Sequence, residues 1–413
     1  MNSVAGTEEL PLVLLLHSGV QKFREYLLSM AAGHSRIWLF LDTEPTWELP
    51  YLCGHTVVDL HDFAALRAAG RSVAARHTVA GVLSWNELLV EQSARLQREL
   101  GLPGSPPEAV ALCRDKHGTR RALDAAGVPQ ARSVPVASAA EAQQAAARIG
   151  FPVVVKPRGL GASVGVSRAA SPAEVTAAYI TAGTVAMAGA PDFGGSVLVE
   201  EYLLGEEISI DAALLDGELT PLYLARKVCG YEPYFEEIAH SVDAADPLLD
   251  DPEVLDVLRS AHTAVGYHTG ITHTELRLTE AGPKVIEINA RLGGDLIPLV
   301  ASFACRVDPG QWAVAIACGG TLPPPERRSG CAAVRFLYPE QDCVAAGVEV
   351  DAAALPASAV RAQALAEPGQ ELLLPPAGHI MSRYAYVLVT GHSADMCRIE
   401  ADKAAHAVRL STA

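Results

Sequence analysis

Residues 273–295 read HTELRLTEAGPKVIEINARLGGD. Two alternating runs rich in β-formers flank the turn signal Glu280-Ala281-Gly282-Pro283, the pattern of an antiparallel hairpin. Centred on Ala281, the hairpin sets Glu275 opposite Glu287 and His273 opposite Asn289, with opposed Cβ atoms roughly 4.5–5.5 Å apart. Side chains alternate along a strand, so Glu287, Asn289 and Arg291 project to one face. Ile286 and Ile288 then project to the other face, into a core. Two directly opposed carboxylates destabilise a sheet unless positive charge lies between them. Mg²⁺ suits such a place, because it takes oxygen ligands from one or two carboxylates and leaves positions for phosphates. The plain alternative is a pair of solvated glutamates, and the rest of the chain weighs against it.

With 413 residues, the chain is long enough for two or three domains and a large core. Half of its residues are apolar and 19% are charged, the balance of a soluble globular protein. A net charge of −16 and a pI near 5.3 argue against a nucleic-acid or anionic-membrane surface. They leave room for a polyanionic small ligand, since lysines, arginines and a metal reverse the field inside a cleft. Eight cysteines are scattered without a CxxC pair, as free thiols in a reducing cytoplasm would be. The run Leu10–Leu16 contains Pro11 and follows Glu8 and Glu9, so it reads as a first strand and not a signal peptide. The apolar segment after Asp295 holds Arg306, Asp308 and Pro309 and cannot span a bilayer. A cytoplasmic protein without a membrane segment is expected.

Residues 1–9 read as a loose tail. Strand-like LVLLLHS, IWLFLD, VVDL and GVLSW then alternate with helices through Tyr26, over Leu66–His77 and over Glu87–Leu100. That alternation predicts a parallel α/β domain over 1–109, ending in the Pro/Gly-rich GLPGSPPEA. A basic helix over 110–128, a helix–strand–glycine-rich-turn unit and a helix from Ser171 make a second unit, 110–195. A third, 196–329, opens with a long hairpin over 196–228 that turns at Asp216-Gly217. In that register Glu207 faces Arg226, and an ordinary ion pair accounts for both. The irregular, aromatic and acidic stretch 229–245, with Tyr231, Tyr234, Phe235, Glu236, Glu237 and His240, reads as a lid. Helices around 295–318 and a β-rich module over 330–413 close the chain.

Two further patterns carry chemistry. Lys156 ends a buried strand, PVVVK, before a loop holding Gly159, Gly161, Ser163 and Gly165. Glycines let backbone N–H groups approach phosphate oxygens, and the lysine adds a point charge. No Gly-Lys-Ser/Thr follows, so this is not a Walker A loop. Glu200-Glu201 ends the strand VLVEE and leads into Tyr202-Leu203 and Gly205-Glu206-Glu207, a hinge that can offer backbone groups to a base and a carboxylate to ribose hydroxyls.

Lys116 on a basic helix, Lys156 with its loop, the EEYLxGEE hinge and the E-x11-E-x-N-x-R hairpin occur in that order. The combination resembles the ATP-grasp superfamily, over about residues 110–320. The resemblance implies two α+β subdomains clasping ATP, a preceding α/β domain and a small β-rich C-terminal module. It implies that Lys116 and Lys156 meet the nucleotide, that the loop with Gly159, Gly161 and Ser163 covers the phosphates, and that Glu200, Glu201 and Leu203 form the adenine hinge. Glu207 matches the ribose carboxylate. Glu275, Glu287 and Asn289 match the ligands of Mg²⁺, or of Mn²⁺ in its place. Arg291 matches the arginine that steadies the transferred phosphoryl group, with Gly293 and Gly294 offering N–H groups to the carboxylate end.

The loop PRGLGASVGV is similar to that of D-alanine–D-alanine ligases. EINARLGGDLI departs from their ending and looks more like L-amino acid ligases and carnosine-synthase-like enzymes. The resemblance therefore implies an ATP- and Mg²⁺-dependent carboxylate–amine ligase acting through an acyl phosphate on small amino-acid-like substrates. Homodimers are common among such relatives. Glu237, His240 and His273 are candidates for holding the amino acid. The alternatives are an ATP-grasp carboxylase or purine-pathway ligase, and a nucleotide-binding scaffold without turnover.

Overall fold

The computed structural model describes residues 10–186, 189–191, 193–194, 196–322 and 330–413; the expected tail, 1–9, lies outside them. The run LVLLL forms β1 (Leu12–Leu16), buried along its whole length because helices cover both faces of its sheet. After it come α1 (Gln21–Ala32), β2 (Arg36–Leu41), β3 (Leu52–Val57), α2 (Phe63–Ala74), β4 (Val79–Leu83) and α3 (Val90–Leu100). The strands pair in parallel in the order β3-β2-β1-β4. The strand expected at VVDL is displaced toward the N-terminus. β3 ends at Val57, and the next residues turn back on β2, with Val58 N–H on the Leu41 carbonyl and Leu60 N–H on the Asp42 carboxylate.

The basic stretch 110–128 is two helices, α4 (Pro107–Arg114) and α5 (Lys116–Ala125). They break at Asp115, whose backbone is extended and whose carboxylate receives both arms of the Arg158 guanidinium. β5 (Ser133–Val136), α6 (Ala139–Ile149), β6 (Val153–Pro157), β7 (Ser167–Ala169), α7 (Pro172–Thr184) and β8 (Val197–Glu201) form an antiparallel sheet, β5-β8-β6-β7, covered by the two helices. β8 therefore does not belong to the long hairpin expected over 196–228. Residues 202–205 carry the chain from it to the next sheet. Gly205 is required there: its φ is +133°, and a Cβ would lie 1.8 Å from the Leu278 carbonyl oxygen.

The largest sheet is built from β9 (Glu206–Leu215), β10 (Glu218–Gly230) and β11 (Glu236–Asp243), then, after α8 (Pro252–Val265), β12 (Gly270–Thr279) and β13 (Gly282–Asn289). The chain continues through α9 (Ile297–Cys305), α10 (Pro309–Ala317), β14 (Cys331–Leu337), β15 (Cys343–Val350), β16 (Ala359–Ala364), β17 (Glu371–Leu372), β18 (Ala385–Gly391), α11 (Ala394–Ala405) and β19 (Val408–Thr412). Eight strands pair in the order β13-β12-β9-β10-β11-β14-β18-β16, and β17-β15-β19 form a small separate sheet. The last part of the chain thus extends the large sheet through the β11–β14 pairing. For the same reason, most of the stretch read as a lid is β11, a strand paired on both sides. Only 231–235 is a connection.

Three bulges set which residues share a face. On β10 the extra residue is Leu222, on β11 Ile238 and on β13 Ile286. A bulge adds one residue and so reverses the alternation beyond it. His273 does lie opposite Asn289 and Glu275 opposite Glu287, although the turn itself is the two-residue Glu280-Ala281; the bulge at Ile286 makes up the difference. Ile286 consequently lines the cleft beside Glu287, while Val285 and Ile288 enter the core. The bulge at Leu222 puts Arg226 opposite Ile208, not Glu207, so Arg226 pairs instead with Glu206 and Asp246. Among the described residues no helix is long and apolar enough to cross a membrane.

α8 covers the back of the sheet and carries a fully buried histidine. His262 Nδ1–H donates to the Leu258 carbonyl at 2.7 Å, and Nε2 accepts from the Thr272 hydroxyl at 2.8 Å. Burial lowers its pKa to about 4. Below its unfolded-state pKa of about 6.5 the unfolded chain takes up the proton first, so stability falls as pH drops from there toward 4. Between pH 6.5 and 5 this costs about 2 kcal/mol. Urea unfolding of the wild type should show that loss, and His262→Gln should not.

Candidate functional site

A cleft of about 150 Å³ opens between the small and large sheets. Lys116 and Arg120 reach it from α5, Lys156 from the end of β6, Gly161 and Ser163 from the loop after it, and Leu203 from the hinge. β9, β12 and β13 supply Glu207, Glu275, Glu287 and Asn289. The sequence-predicted residues therefore converge from separate elements. Gly159 stands behind the cleft, where a Cβ would meet the Phe193 ring at 2.9 Å. Ala162 and Ser163 both hold a φ of +55°, a conformation that exposes successive N–H groups of the loop.

Each lysine already has a carboxylate. Lys116 Nζ lies 3.0 Å from Glu287 Oε1 and donates to the Leu160 carbonyl at 2.6 Å. Lys156 Nζ lies 2.6 Å from Glu200 Oε2. Glu200 also receives Arg120 through Nε at 2.8 Å and Nη2 at 3.0 Å. Burial opposes the Glu200 charge, but Arg120 and Lys156 outweigh it and hold its carboxyl far below the usual range. In the sequence Arg120 is one of several basic residues on the helical stretch 110–128. It also donates to the carbonyls of Val285 at 3.2 Å and Ile286 at 2.7 Å, pinning the β13 bulge to the small sheet. Glu201 sits at the rim between Arg132 and Lys284.

The residue that sequence reasoning missed is Lys227. The Leu222 bulge, not Arg226, decides what meets Glu207. Lys227 Nζ lies 3.3 Å from Glu207, 2.5 Å from Glu237 and 2.8 Å from Glu275, and its side chain is 1% exposed. Burial works against its charge, but Glu237, Glu275 and Glu207 hold it protonated well above the ordinary lysine range. Glu207 receives Arg277 as well, at 2.6 Å. Pro221, inside an otherwise regular strand, was the available signal for the bulge.

A second cavity of about 100 Å³ adjoins the cleft and shares Ala162, Ser163, Glu237, Glu275 and Arg291 with it. The β11 bulge turns Glu237 and His240 to the same side, and His240 Nε2 lies 3.1 Å from Glu237. His273 Nδ1 bonds Asp211 at 2.6 Å, and its Nε2 lies 3.5 Å from Glu275. Burial would lower the His273 pKa, but Asp211 and then Glu275 raise it to about 9.

One expectation for the loop after β13 needs correction. Gly293 N–H does not face a ligand. It donates to buried Asp211 at 2.8 Å, an acceptor that also takes the Tyr223 hydroxyl. Gly294 remains on the cavity wall. Arg291 lines both cavities but is ion-paired to Glu87 of the first α/β unit, a partner the sequence did not suggest. Burial opposes the Glu87 charge, yet Arg291 and Arg114 pull its carboxyl down to about 2.

The donor set fits a hard divalent cation. Glu275 and Glu287 face each other across β12 and β13 with Asn289 beside them, and their charge is balanced here by Lys227 and Lys116.

Residues 149–298 match the family described as "ATP-grasp domain". Alanine–anticapsin ligase of Bacillus subtilis is 28% identical over 271 residues, 60% of this chain and 56% of that protein. Carnosine synthase 1 of Gallus gallus is 30% identical over 223 residues, 51% of this chain and 24% of that protein. The match thus spans about half the first relative and a quarter of the second. The crystal structure of an L-amino acid ligase from Bacillus licheniformis superposes with a TM-score of 0.82 at 19% identity, covering 98% of this chain and 100% of that one, which shows a common fold. Residues 149–298 thus match an ATP-grasp domain, and the chain as a whole shares its fold with that ligase.

Proposed function

We propose that the protein is an ATP-dependent carboxylate–amine ligase that joins an amino acid, or a similar acid, to an amine with release of ADP and phosphate. The observation that carries this reading is the pair of cavities with Glu275 and Arg291 in their common wall. One has the fittings for a nucleotide, and the other for a zwitterion. On this reading Leu203 and the Glu201 backbone meet adenine, Glu207 accepts from the ribose, and Lys116 and Lys156 meet phosphate oxygens.

Glu275, Glu287 and Asn289 would hold Mg²⁺, which when bound neutralises charge on the transferring phosphoryl group. A substrate carboxylate oxygen attacks the γ-phosphorus and the bond to the β-phosphate oxygen breaks, giving an acyl phosphate and ADP. The amine then attacks the acyl carbon, phosphate leaves with the bonding pair, and the amine loses a proton. Lys227 and Arg291 lie where charge accumulates in both steps, and their fixed positions supply electrostatic stabilisation. Glu237 would hold an α-ammonium group, with His240, fully buried 3.1 Å from it, fixing its orientation. His273, bonded to Asp211 and charged up to about pH 9, steadies Glu275 and does not accept a proton.

The second cavity supports amino-acid substrates over bicarbonate or a phosphorylated ribose. Glu237 and Asp295 there can meet an α-ammonium group while Lys227 and Arg291 meet a carboxylate, the combination that a zwitterion needs and a simple anion does not.

Phosphate release with ATP and Mg²⁺, measured across pairs of amino acids with products weighed by mass spectrometry, tests the proposal. A product equal to the sum of two substrates minus water is expected; turnover only on bicarbonate or a ribosylamine would overturn it. Glu287→Ala should lower turnover at least 100-fold while circular dichroism and thermal unfolding stay near wild type. Lys227→Met should abolish turnover and also destabilise the protein by about 3–5 kcal/mol in urea titrations, because three buried carboxylates lose their cation.

A further inference from the structure

The carboxylates of the second cavity are not alike. Glu237 and Glu275 share Lys227, and Asp295 takes the guanidinium of Arg383 at 2.7 Å. Glu236, whose side chain is 1% exposed, has neither a lysine nor an arginine partner among the described residues. Its oxygens meet only the His379 Nδ1 at 3.0 Å and the Tyr338 hydroxyl at 3.3 Å. A buried carboxylate without a full cationic partner is costly, and a ligand that brings a cation relieves that cost.

The wall around Glu236 is fixed. Arg383 Nε donates to the Tyr338 oxygen at 2.9 Å, and its Nη2 donates to the Glu237 carbonyl at 2.8 Å and to Asp295. Its guanidinium stacks on Phe336 with 3.8 Å to the ring centroid. Asp295, Arg383, Tyr338, Glu236 and His379 thus form a continuous polar chain along one side of the cavity. Arg383 and Asp295 cancel, which leaves Glu236 as the uncompensated charge. Ile297 and Ile380 also line the cavity and offer aliphatic surface between the two ends.

Resting on the ligase reading above, we infer that Glu236 is a specificity-determining residue that selects a carboxylate substrate with a cationic side chain. The substrate class is an α-amino acid whose aliphatic stem lies against Ile297 and Ile380 and ends in an ammonium or guanidinium group at Glu236. Glu237 and Glu236 are neighbours in sequence but serve opposite ends of the ligand, because the β11 bulge beyond Glu237 leaves His240 with the first and the C-terminal segment 379–383 with the second. Glu236 itself lines the second cavity and not the nucleotide cleft.

Hydroxylamine removes the need to know the second substrate, since it traps an acyl phosphate as a hydroxamate. With full-length protein, ATP and Mg²⁺, kcat/KM for lysine, ornithine and arginine should exceed that for norleucine at least tenfold. Glu236→Gln should lower kcat/KM for the cationic amino acids at least tenfold, chiefly through KM, and leave norleucine within twofold. A wild type that prefers norleucine or alanine overturns the inference while leaving the ligase reading intact, and needs no variant to be folded. An equal loss on all substrates in Glu236→Gln overturns it too. If no amino acid yields hydroxamate, both this inference and the ligase reading fall.

Discussion

One ammonium group holds the centre of this site together. Lys227 is buried between Glu207, Glu237 and Glu275, which belong respectively to the ribose side of the cleft, the second cavity and the pair facing Glu287. Three carboxylates this close cannot all stay ionised in a dry interior without a cation among them. The strain shows in how they differ. Burial and Glu275 leave Glu207 with a raised pKa despite Lys227 and Arg277, whereas Lys227 and His273 hold Glu275 well below the usual range. On the proposed reading each ligand takes over part of that balance: a metal at Glu275, an ammonium at Glu237, and phosphate oxygens at Lys227 itself. The three regions are coupled because they draw on one charge.

What could be read from the sequence follows from how local each signal is. The opposition of Glu275 and Glu287 was legible because a turn centred on Ala281 gives the same pairing as the two-residue turn and the Ile286 bulge together. The parallel first sheet was legible from apolar runs alternating with helices. Lys227 was not legible, because a single extra residue at Leu222 exchanges it for Arg226 in front of Glu207. The stretch 229–245 reads as a lid because Glu236, Glu237 and His240 look like solvated residues until β10 and β14 close on both sides of β11. Both errors are one-residue or long-range effects. Asp211 carries no signal of its own in the sequence, because its acceptance of Tyr223, His273 and Gly293 depends on three distant segments.

Position, more than stability, explains the ion pairs between units. Buried pairs gain little net energy over apolar packing, but losing one partner is expensive, so they enforce a geometry. Arg120 is bonded at once to Glu200 in the small sheet and to the Val285 and Ile286 carbonyls in the large one. Glu87 joins the first α/β unit to Arg114 and Arg291, and Arg24 Nη1 adds a bond to the Gly293 carbonyl at 3.3 Å. The cleft is therefore framed by bonds that cross between units, and the same arginines that frame it also line it.

The balance of charge in that cleft bears on its cofactor. Lys116, Arg120, Lys156, Arg277 and Arg291 face six glutamates there: Glu200, Glu201, Glu207, Glu237, Glu275 and Glu287. Lys227 brings the sixth cation, so the wall is close to neutral before any ligand enters. A triphosphate adds several negative charges to a site whose lysines are already paired, and the low dielectric makes each uncompensated charge expensive. On the proposed reading a divalent cation arriving with the nucleotide supplies what the side chains lack, and the facing pair Glu275 and Glu287 would hold it. On that reading the metal reconciles overall acidity with nucleotide binding, at the two carboxylates that the hairpin at 273–295 sets face to face.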